Sequence, residues 1–324
     1  MQSAPLPVVH VGYACTNRCV FCAQGEQRSR ELHPLSSQVL AELQRLAETG
    51  SRSVAFVGGE PTLHSELPNW IGQARTAGFD QIVVQTNGRR LAYSAYAREL
   101  AALGVTGVEI SMAGPRADIH DYHTRVPGSF RQTMRGILSA RSAGLRVSSV
   151  LVITRSNFRH LTEHVALAGQ QGVHALLLSV AARRGSARAD FGRVVPRAEA
   201  VAHEVRPAAE LGGQLGLSLF AQRLPPCLIP QLSPTPLELL GPSFMELPHG
   251  HGPPCQQCTW LGWCPGLEAA YAAHYGFDEL EPVTENDSAA IDRARERAAP
   301  WAASFAGLGP TEPLEPEAAA PERG

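Results

Sequence analysis

Cys15-Thr16-Asn17-Arg18-Cys19-Val20-Phe21-Cys22 places three thiols in one short loop at the spacing C-x3-C-x2-C, with an aromatic before the third. Clustered thiolates at short spacing are ligands for soft metals and iron–sulfur clusters. The number three carries the chemistry. Three ligands hold three corners of a four-iron cluster and leave the fourth iron without a protein donor. The same open-position logic separates catalytic zinc sites from closed structural ones. An open iron is a place for a cofactor to bind and react. A zinc loop and a redox pair compete for the same thiols. Zinc sites usually set two C-x2-C halves far apart, however, and a thioredoxin-like C-x-x-C has no use for Cys15.

Outward from this loop, strand and helix patterns alternate. Val8–Gly12 reads as a first buried strand that feeds directly into the thiols. Strands follow at Ser53–Val57, Gln81–Gln85, Gly107–Ser111, Arg146–Thr154 and His174–Val180. Between them lie helices from Ser36 to Gly50, Leu67 to Ala77, Ala92 to Leu103, Ser129 to Ala143 and, capped by Asn157, on to Gln171. Nearly all are stopped by glycine, and six strands so interleaved argue for parallel βα units. Periodicity does not choose between a closed or partial barrel and an open doubly wound sheet. Beyond Gly192 the pattern weakens to a helix over Pro196–Leu211, a short strand over Gly216–Phe220 and a proline- and glycine-rich loop over Leu224–Pro254. A last helix is expected over Glu285–Ala299, and the proline-, alanine- and glutamate-rich tail 309–324 is expected to be disordered.

The 324 residues are enough for one large α/β barrel or two domains, and a net charge of −2 gives no sign of a nucleic-acid or membrane-surface partner. Seven cysteines, an odd number, fall in two groups far apart in the sequence. Disulfide frameworks belong to short secreted chains. Met1–Pro5 lacks the basic start of a signal peptide, and no run approaches the ~18 apolar residues of a membrane span. A soluble protein of a reducing compartment, the cytoplasm, is expected.

The thiol loop resembles the cluster-binding loop of the radical S-adenosylmethionine (SAM) superfamily, which has this spacing and often an aromatic where Phe21 stands. The resemblance implies a partial (β/α)6 TIM-like barrel over residues 1–215, with a [4Fe-4S] cluster on Cys15, Cys19 and Cys22. It implies SAM chelated to the open iron and cleaved by one electron to methionine and a 5′-deoxyadenosyl radical, which abstracts hydrogen from substrate. Gly58-Gly59-Glu60-Pro61 after the second strand resembles the family's GGEP turn, whose backbone holds the SAM amino group. Thr86-Asn87-Gly88 resembles its TNG turn, with a plain helix-entry turn as the competing reading. Ser111-Met112-Ala113-Gly114 stands where Ser-Leu-Asp-Gly is common: Ser111 becomes a candidate for the SAM carboxylate, and Ala113 removes a carboxylate. The segment from His120 to Phe130 resembles "HD…R…GSF", which would place Arg125 on the SAM carboxylate, a bidentate contact suited to a guanidinium. No acid or base for the chemistry can be named.

Cys227, Cys255, Cys258 and Cys264 make a second set with a C-x2-C-x5-C core. Four thiols suit structural zinc or a four-iron cluster. The core, with Pro265-Gly266 and Tyr271, resembles the SPASM and twitch extensions that carry auxiliary [4Fe-4S] clusters. Glu268 stands where a further SPASM cysteine would fall, and no cysteine follows Cys264. The resemblance is therefore to the shorter twitch form over residues 216–282, loop-rich and followed by a helix in 283–308. Cys227 is expected as fourth ligand; otherwise it is a buried structural thiol and the cluster is open to substrate. Trp260 and Trp263 are expected to pack over the cluster, and Arg183 and Arg184 to face the barrel mouth. The implied substrate is a ribosomal peptide or protein side chain, making the chain an oxidoreductase or peptide-modifying maturase. Its implied partners are a flavodoxin or ferredoxin as electron donor and a separate peptide-recognition protein. The alternatives are small-molecule or cofactor biosynthesis and, in another class, a non-catalytic iron–sulfur or zinc module for electron transfer.

Overall fold

A computed structural model describes residues 5–25, 34–241, 244, 245, 247–285 and 288–305, without the side chains of 302–304. The tail 309–324 lies outside the described residues. Eight strands form one sheet: β1 (Val8–His10), β2 (Ser53–Val57), β3 (Gln81–Thr86), β4 (Gly107–Ser111), β5 (Arg146–Ile153), β6 (Ala175–Val180), β7 (Ser218–Gln222) and β8 (Thr235–Pro236). They pair in sequence order, every pair parallel. Right-handed crossovers in an unbroken strand order put the crossover helices between the strands on one face and curl the sheet. β1 and β8 stay unpaired to one another, so the barrel is open. The six expected strands are all present. The short strand expected over Gly216–Phe220 is present as β7, shifted to Ser218–Gln222 and paired with β6, and β8 follows as an eighth that was not expected.

The helices are α1 (Ser36–Glu48), α2 (Leu67–Thr76), α3 (Ser94–Leu103), α4 (Ala117–Thr124), α5 (Ser129–Ser142), α6 (Leu161–Gln170), the short α7 (Ser186–Ala189) and α8 (Phe191–Val194), α9 (Ala198–Gln214), α10 (Ala269–Tyr275) and α11 (Ser288–Ala298). α4 overlaps the start of the "HD…R…GSF" segment, where the sequence showed a motif but no helix. No helix among the described residues is long and apolar enough to cross a membrane.

Strand alternation divides the core. On β6, Leu176, Leu178 and Val180 join the cluster under the helices. Ala175 and Leu177 point the other way and pack with Phe220, Leu237, Phe244, Ala298 and Phe305. The interior of the half-barrel is thus filled beside β6 and β7 by the carboxyl-terminal segment. Fully buried Trp70 ties α2 to α1 by donating its indole N–H to Ser36 Oγ at 2.8 Å. Asn157 was expected to cap a helix. It stands at the N-cap of the 3-10 turn Phe158–His160 that runs into α6, but its side chain does not cap it: the amide donates to the carbonyls of Val152 and Ala113 and accepts from Thr154 N at 2.7 Å, joining the ends of β4 and β5.

Two devices attach the region after β8. The hydroxyl of Tyr271 accepts from Ala198 N at 2.7 Å and donates to Glu279, fixing α10 against α9. α11 packs Ile291 and Ala294 with Leu232, Leu239 and Trp260.

Candidate active site at the carboxyl ends of the strands

After His10 the chain crosses the mouth of the half-barrel, and the end of one strand after another grips it. The β2 turn comes first. Gly59 N donates to Gly12 O at 2.8 Å and Glu60 N to Ala14 O at 2.7 Å. A Cβ on Gly58, whose φ is +146°, would lie 2.5 Å from Gly12 O; one on Gly59 would lie 2.3 Å from Ala14 O. Both glycines are required by backbone meeting backbone. Pro61 opens a buried 3-10 turn, Pro61–Leu63.

Glu60 is 4% exposed. Its carboxylate accepts from Thr62 N and Oγ1, from Thr86 Oγ1 at 2.6 Å and from Asn87 N at 2.7 Å. Burial pushes its pKa up while those donors pull it back. The carboxylate therefore staples the β2 turn to the β3 turn.

Asn87 and Arg89 carry the β3 turn onto the thiol loop. Asn87 Nδ2 donates to Thr16 Oγ1 at 3.2 Å and to Cys15 Sγ at 3.9 Å, and Asn17 N donates to the same sulfur at 3.4 Å. Arg89 Nη1 donates to Thr16 O at 2.8 Å and Asn17 Oδ1 at 3.0 Å. α4 holds the next residues: its His123 and Thr124 carbonyls accept from Val20 N at 3.0 Å and Arg18 N at 2.8 Å. Its end is set by Asp121, whose carboxylate accepts from Gly128 N, Ser129 Oγ and Phe130 N at 2.6–2.7 Å. Inside, His123 Nδ1–H donates to Ile119 O, leaving Nε2 to accept from Thr154 Oγ1, both at 2.7 Å. The Phe21 ring lies 6.0 Å from that of His123.

The last grip comes from β6. Ser186 N donates to Cys22 O at 2.9 Å, and a Cβ on Gly185, at φ +47°, would lie 2.1 Å from that oxygen. His10 Nδ1 accepts from Gly12 N at 3.3 Å, and its Nε2 lies 2.8 Å from the side-chain amide nitrogen of Gln24. Burial lowers the His10 pKa to about 4.

Cys15, Cys19 and Cys22 are each half-buried on this loop. Ser111 and Arg125 are exposed, one at the end of β4 and the other just past α4 in a left-handed conformation at φ 55°. Ala113 is buried, and its carbonyl serves Asn157. Thr86 turns onto Glu60 and Asn87 onto the thiol loop. Sequence reasoning missed Arg89, His10 with Gln24, Asp121 as an anchor, and the Gly185–Ser186 strap. Gly185, beyond the end of β6 and after Ala181–Arg184, carried no more sequence signal than the others.

The other four cysteines line one cavity with His251 and Trp260. Burial first, then the neighbouring thiols, push Cys227 and Cys264 up to about 12. Ligation would therefore release their protons. Gly266 N donates to Cys264 Sγ at 3.4 Å, and the Trp260 and Trp263 rings stack 5.1 Å apart. Among the described residues no three His, Cys, Asp or Glu side chains lie close enough to hold a metal ion as they stand. Each cysteine set offers soft donors on one loop or around one cavity. The first adds N–H groups aimed at a ligand sulfur, and this donor chemistry fits iron–sulfur clusters.

An open half-barrel of parallel strands with a three-thiol loop across its mouth defines a radical SAM domain. Residues 9–168 match the family model described as the radical SAM superfamily, and the chain carries that domain. It is 30% identical over 158 residues to the Fe-coproporphyrin III synthase of Methanosarcina barkeri, covering 48% of this chain and 39% of that protein. It is 33% identical over 167 residues to the mycofactocin maturase MftC of Mycolicibacterium smegmatis, covering 49% and 40%. The chain thus spans less than half the length of both curated relatives. Its fold matches Streptococcus suis SuiB bound to its precursor peptide SuiA with a TM-score of 0.57, at 16% identity, over 71% of this chain and 52% of that one.

Proposed function

We propose that the chain is a radical SAM enzyme with two [4Fe-4S] sites that removes hydrogen from a side chain of a ribosomal peptide or protein. The observation that carries this reading is the thiol loop held across the mouth by the ends of β2, β3 and β6 and by α4. Cys15, Cys19 and Cys22 would hold the first cluster. Cys227, Cys255, Cys258 and Cys264, in the segment 216–282, would hold an auxiliary one. Bound there, the clusters and SAM supply reductive cleavage of the sulfonium, hydrogen abstraction and an acceptor for the electron left on the substrate.

The chain's own residues do the positioning. Gly58 and Gly59 bring the β2 turn into backbone contact with the loop, and Glu60 locks that turn to the next. Ser111 and Arg125, exposed at the mouth, are the groups available to a SAM carboxylate. The interior packing of Phe220, Phe244 and Phe305 fills part of the half-barrel, so substrate enters from the strand-end side. Excluding water there protects a reactive carbon radical from bystander bonds. Cysteines used as ligands rather than in disulfides suit the cytoplasm, with a flavodoxin or ferredoxin as reductant.

Likeness to the mycofactocin maturase supports a peptide substrate. Similar likeness to the Fe-coproporphyrin III synthase, 30% against 33% identity, favours a second reading, oxidation of a small carboxylated molecule. The test is anaerobic reconstitution with iron and sulfide, then SAM and dithionite, with 5′-deoxyadenosine as the readout. No product, or zinc at the first three cysteines, would sink the proposal. Candidate precursor peptides and porphyrin carboxylates offered separately decide between the substrates by which one gains a product mass.

A further inference from the structure

Resting on the reading of Cys15, Cys19 and Cys22 as a cluster site, we propose that Asn87 is a positioning residue. It sets the reduction potential of that cluster through an N–H···S bond to Cys15, rather than serving as a cofactor contact. Every polar group of Asn87 is assigned. Its N–H goes to Glu60 Oε2 at 2.7 Å, its carbonyl accepts from Thr133 Oγ1 at 2.9 Å, and its side-chain Oδ1 accepts from Arg89 N at 2.9 Å. A backbone N–H can only donate, so Oδ1 is fixed on that side and Nδ2 must face Cys15 Sγ and Thr16 Oγ1. The side chain is 8% exposed, so the donor is shielded from competing water.

The sulfur at the receiving end also takes Asn17 N, and Arg89, anchored by its Nε on Gln132 Oε1 at 2.6 Å, holds the peptide between Cys15 and Asn17. The geometry therefore aims two N–H dipoles at the Cys15 sulfur, while the guanidinium holds the Thr16 carbonyl and the Asn17 side chain beside it. Hydrogen bonds to ligand sulfurs are a lever on cluster potential, because donors stabilise the more negative, reduced cluster. The β3 turn works as an electrostatic setting for the thiol loop, and Glu60 fixes the angle at which it acts.

The test is a redox titration of the reconstituted full chain, following the EPR signal that changes when SAM is added, which isolates this cluster from the auxiliary one. Asn87→Ala is expected to lower the reduced-to-oxidised ratio at fixed potential about fivefold, about 40 mV at 59 mV per decade for a one-electron couple. Asn87→Asp places a carboxylate oxygen against the sulfur and falls further. A potential equal to wild type in Asn87→Ala, or Asn87→Asp at or above wild type, overturns the inference. A wild-type chain without any SAM-responsive signal overturns the underlying cluster reading instead.

The metal-free chain tests the same contact without a cluster. Donors stabilise the thiolate, so alkylation of Cys15 by iodoacetamide, measured relative to Cys19 and Cys22 by mass spectrometry, is expected to drop about threefold in Asn87→Ala. An unchanged ratio refutes the hydrogen bond, whether or not the variant can be loaded with iron.

Discussion

His164 on α6 gives a prediction whose size can be worked from the structure. Its ring is fully buried, and among the described residues neither nitrogen has a hydrogen-bond partner. Burial, followed by repulsion from His120, lowers its pKa to about 3. His120, with Nε2 also unpartnered, is lowered to about 4 by burial, against the pull of Asp121 and with a smaller push from His123 and Arg89. The sign follows from linkage. An unfolded histidine takes a proton near 6.5 while the folded ring stays neutral, so the stabilising difference is fully present above 6.5 and is lost as pH falls toward the folded values. Between pH 7 and pH 5, His164 alone costs about 2 kcal/mol, and the loss ends only below about pH 3. His164→Leu removes the titration and two unsatisfied polar atoms from the core, whose desolvation costs about 1–3 kcal/mol. The variant is expected to match or exceed wild type in urea melts of the metal-free, reduced chain at pH 7. It should also lose about 2 kcal/mol less on going to pH 5. An unchanged acid sensitivity in His164→Leu would refute the claim that a buried neutral ring sets it.

Gly59→Ala forces a Cβ to within 2.4 Å of Tyr13 O. Overpacking of this kind costs about 1–3 kcal/mol at the loop, so 5′-deoxyadenosine formation should fall by about tenfold or more. A near-normal rate would show that the turn yields. Glu60→Gln turns an amide NH2 toward Asn87 N–H and leaves a buried donor unpaired, at about 1–3 kcal/mol. Thermal unfolding should shift down by about 1–2 °C for each of those kcal/mol, and an unshifted midpoint counts against the staple. Gly185→Ala pushes on Cys22 O and should cut reconstituted iron from about eight to about four atoms per chain, sparing the auxiliary set. Full iron would contradict the strap.

What could be read in the sequence was what spacing encodes locally. The three thiols, the Gly-Gly turn after a strand and the βα alternation are each properties of a few neighbouring residues. What could not be read depends on which strand ends converge. Glu60 looks like a cofactor-facing acid in isolation. Only the placement of Thr86 and Asn87 within 2.7 Å of it shows a carboxylate turned back into the fold. Arg89 is one arginine among many until its Nη1 lies 2.8 Å from Thr16 O. α4 escaped notice because eight residues are too few for a clear 3.6-residue period, and its function lies in two terminal carbonyls that no side-chain pattern announces. β8 was obscured by the proline-rich stretch around it, where tertiary pairing with β7 overrides weak local preference.

The open barrel explains why so many elements converge on one loop. β1 has only three residues and a single neighbour, β2, so strand pairing alone gives the segment after it little to rest on. Its backbone polar groups still need partners, because buried N–H and C=O groups are costly when unpaired. Gly12 O, Ala14 O, Arg18 N, Val20 N and Cys22 O find them on the β2 turn, on α4 and on the strap after β6. The residues between those contacts are the cysteines. Closing a cluster-sized loop with fixed backbone anchors on both sides of each thiol confines the sulfurs before any iron arrives, and it places the entropic cost of ordering them on the barrel rather than on the metal.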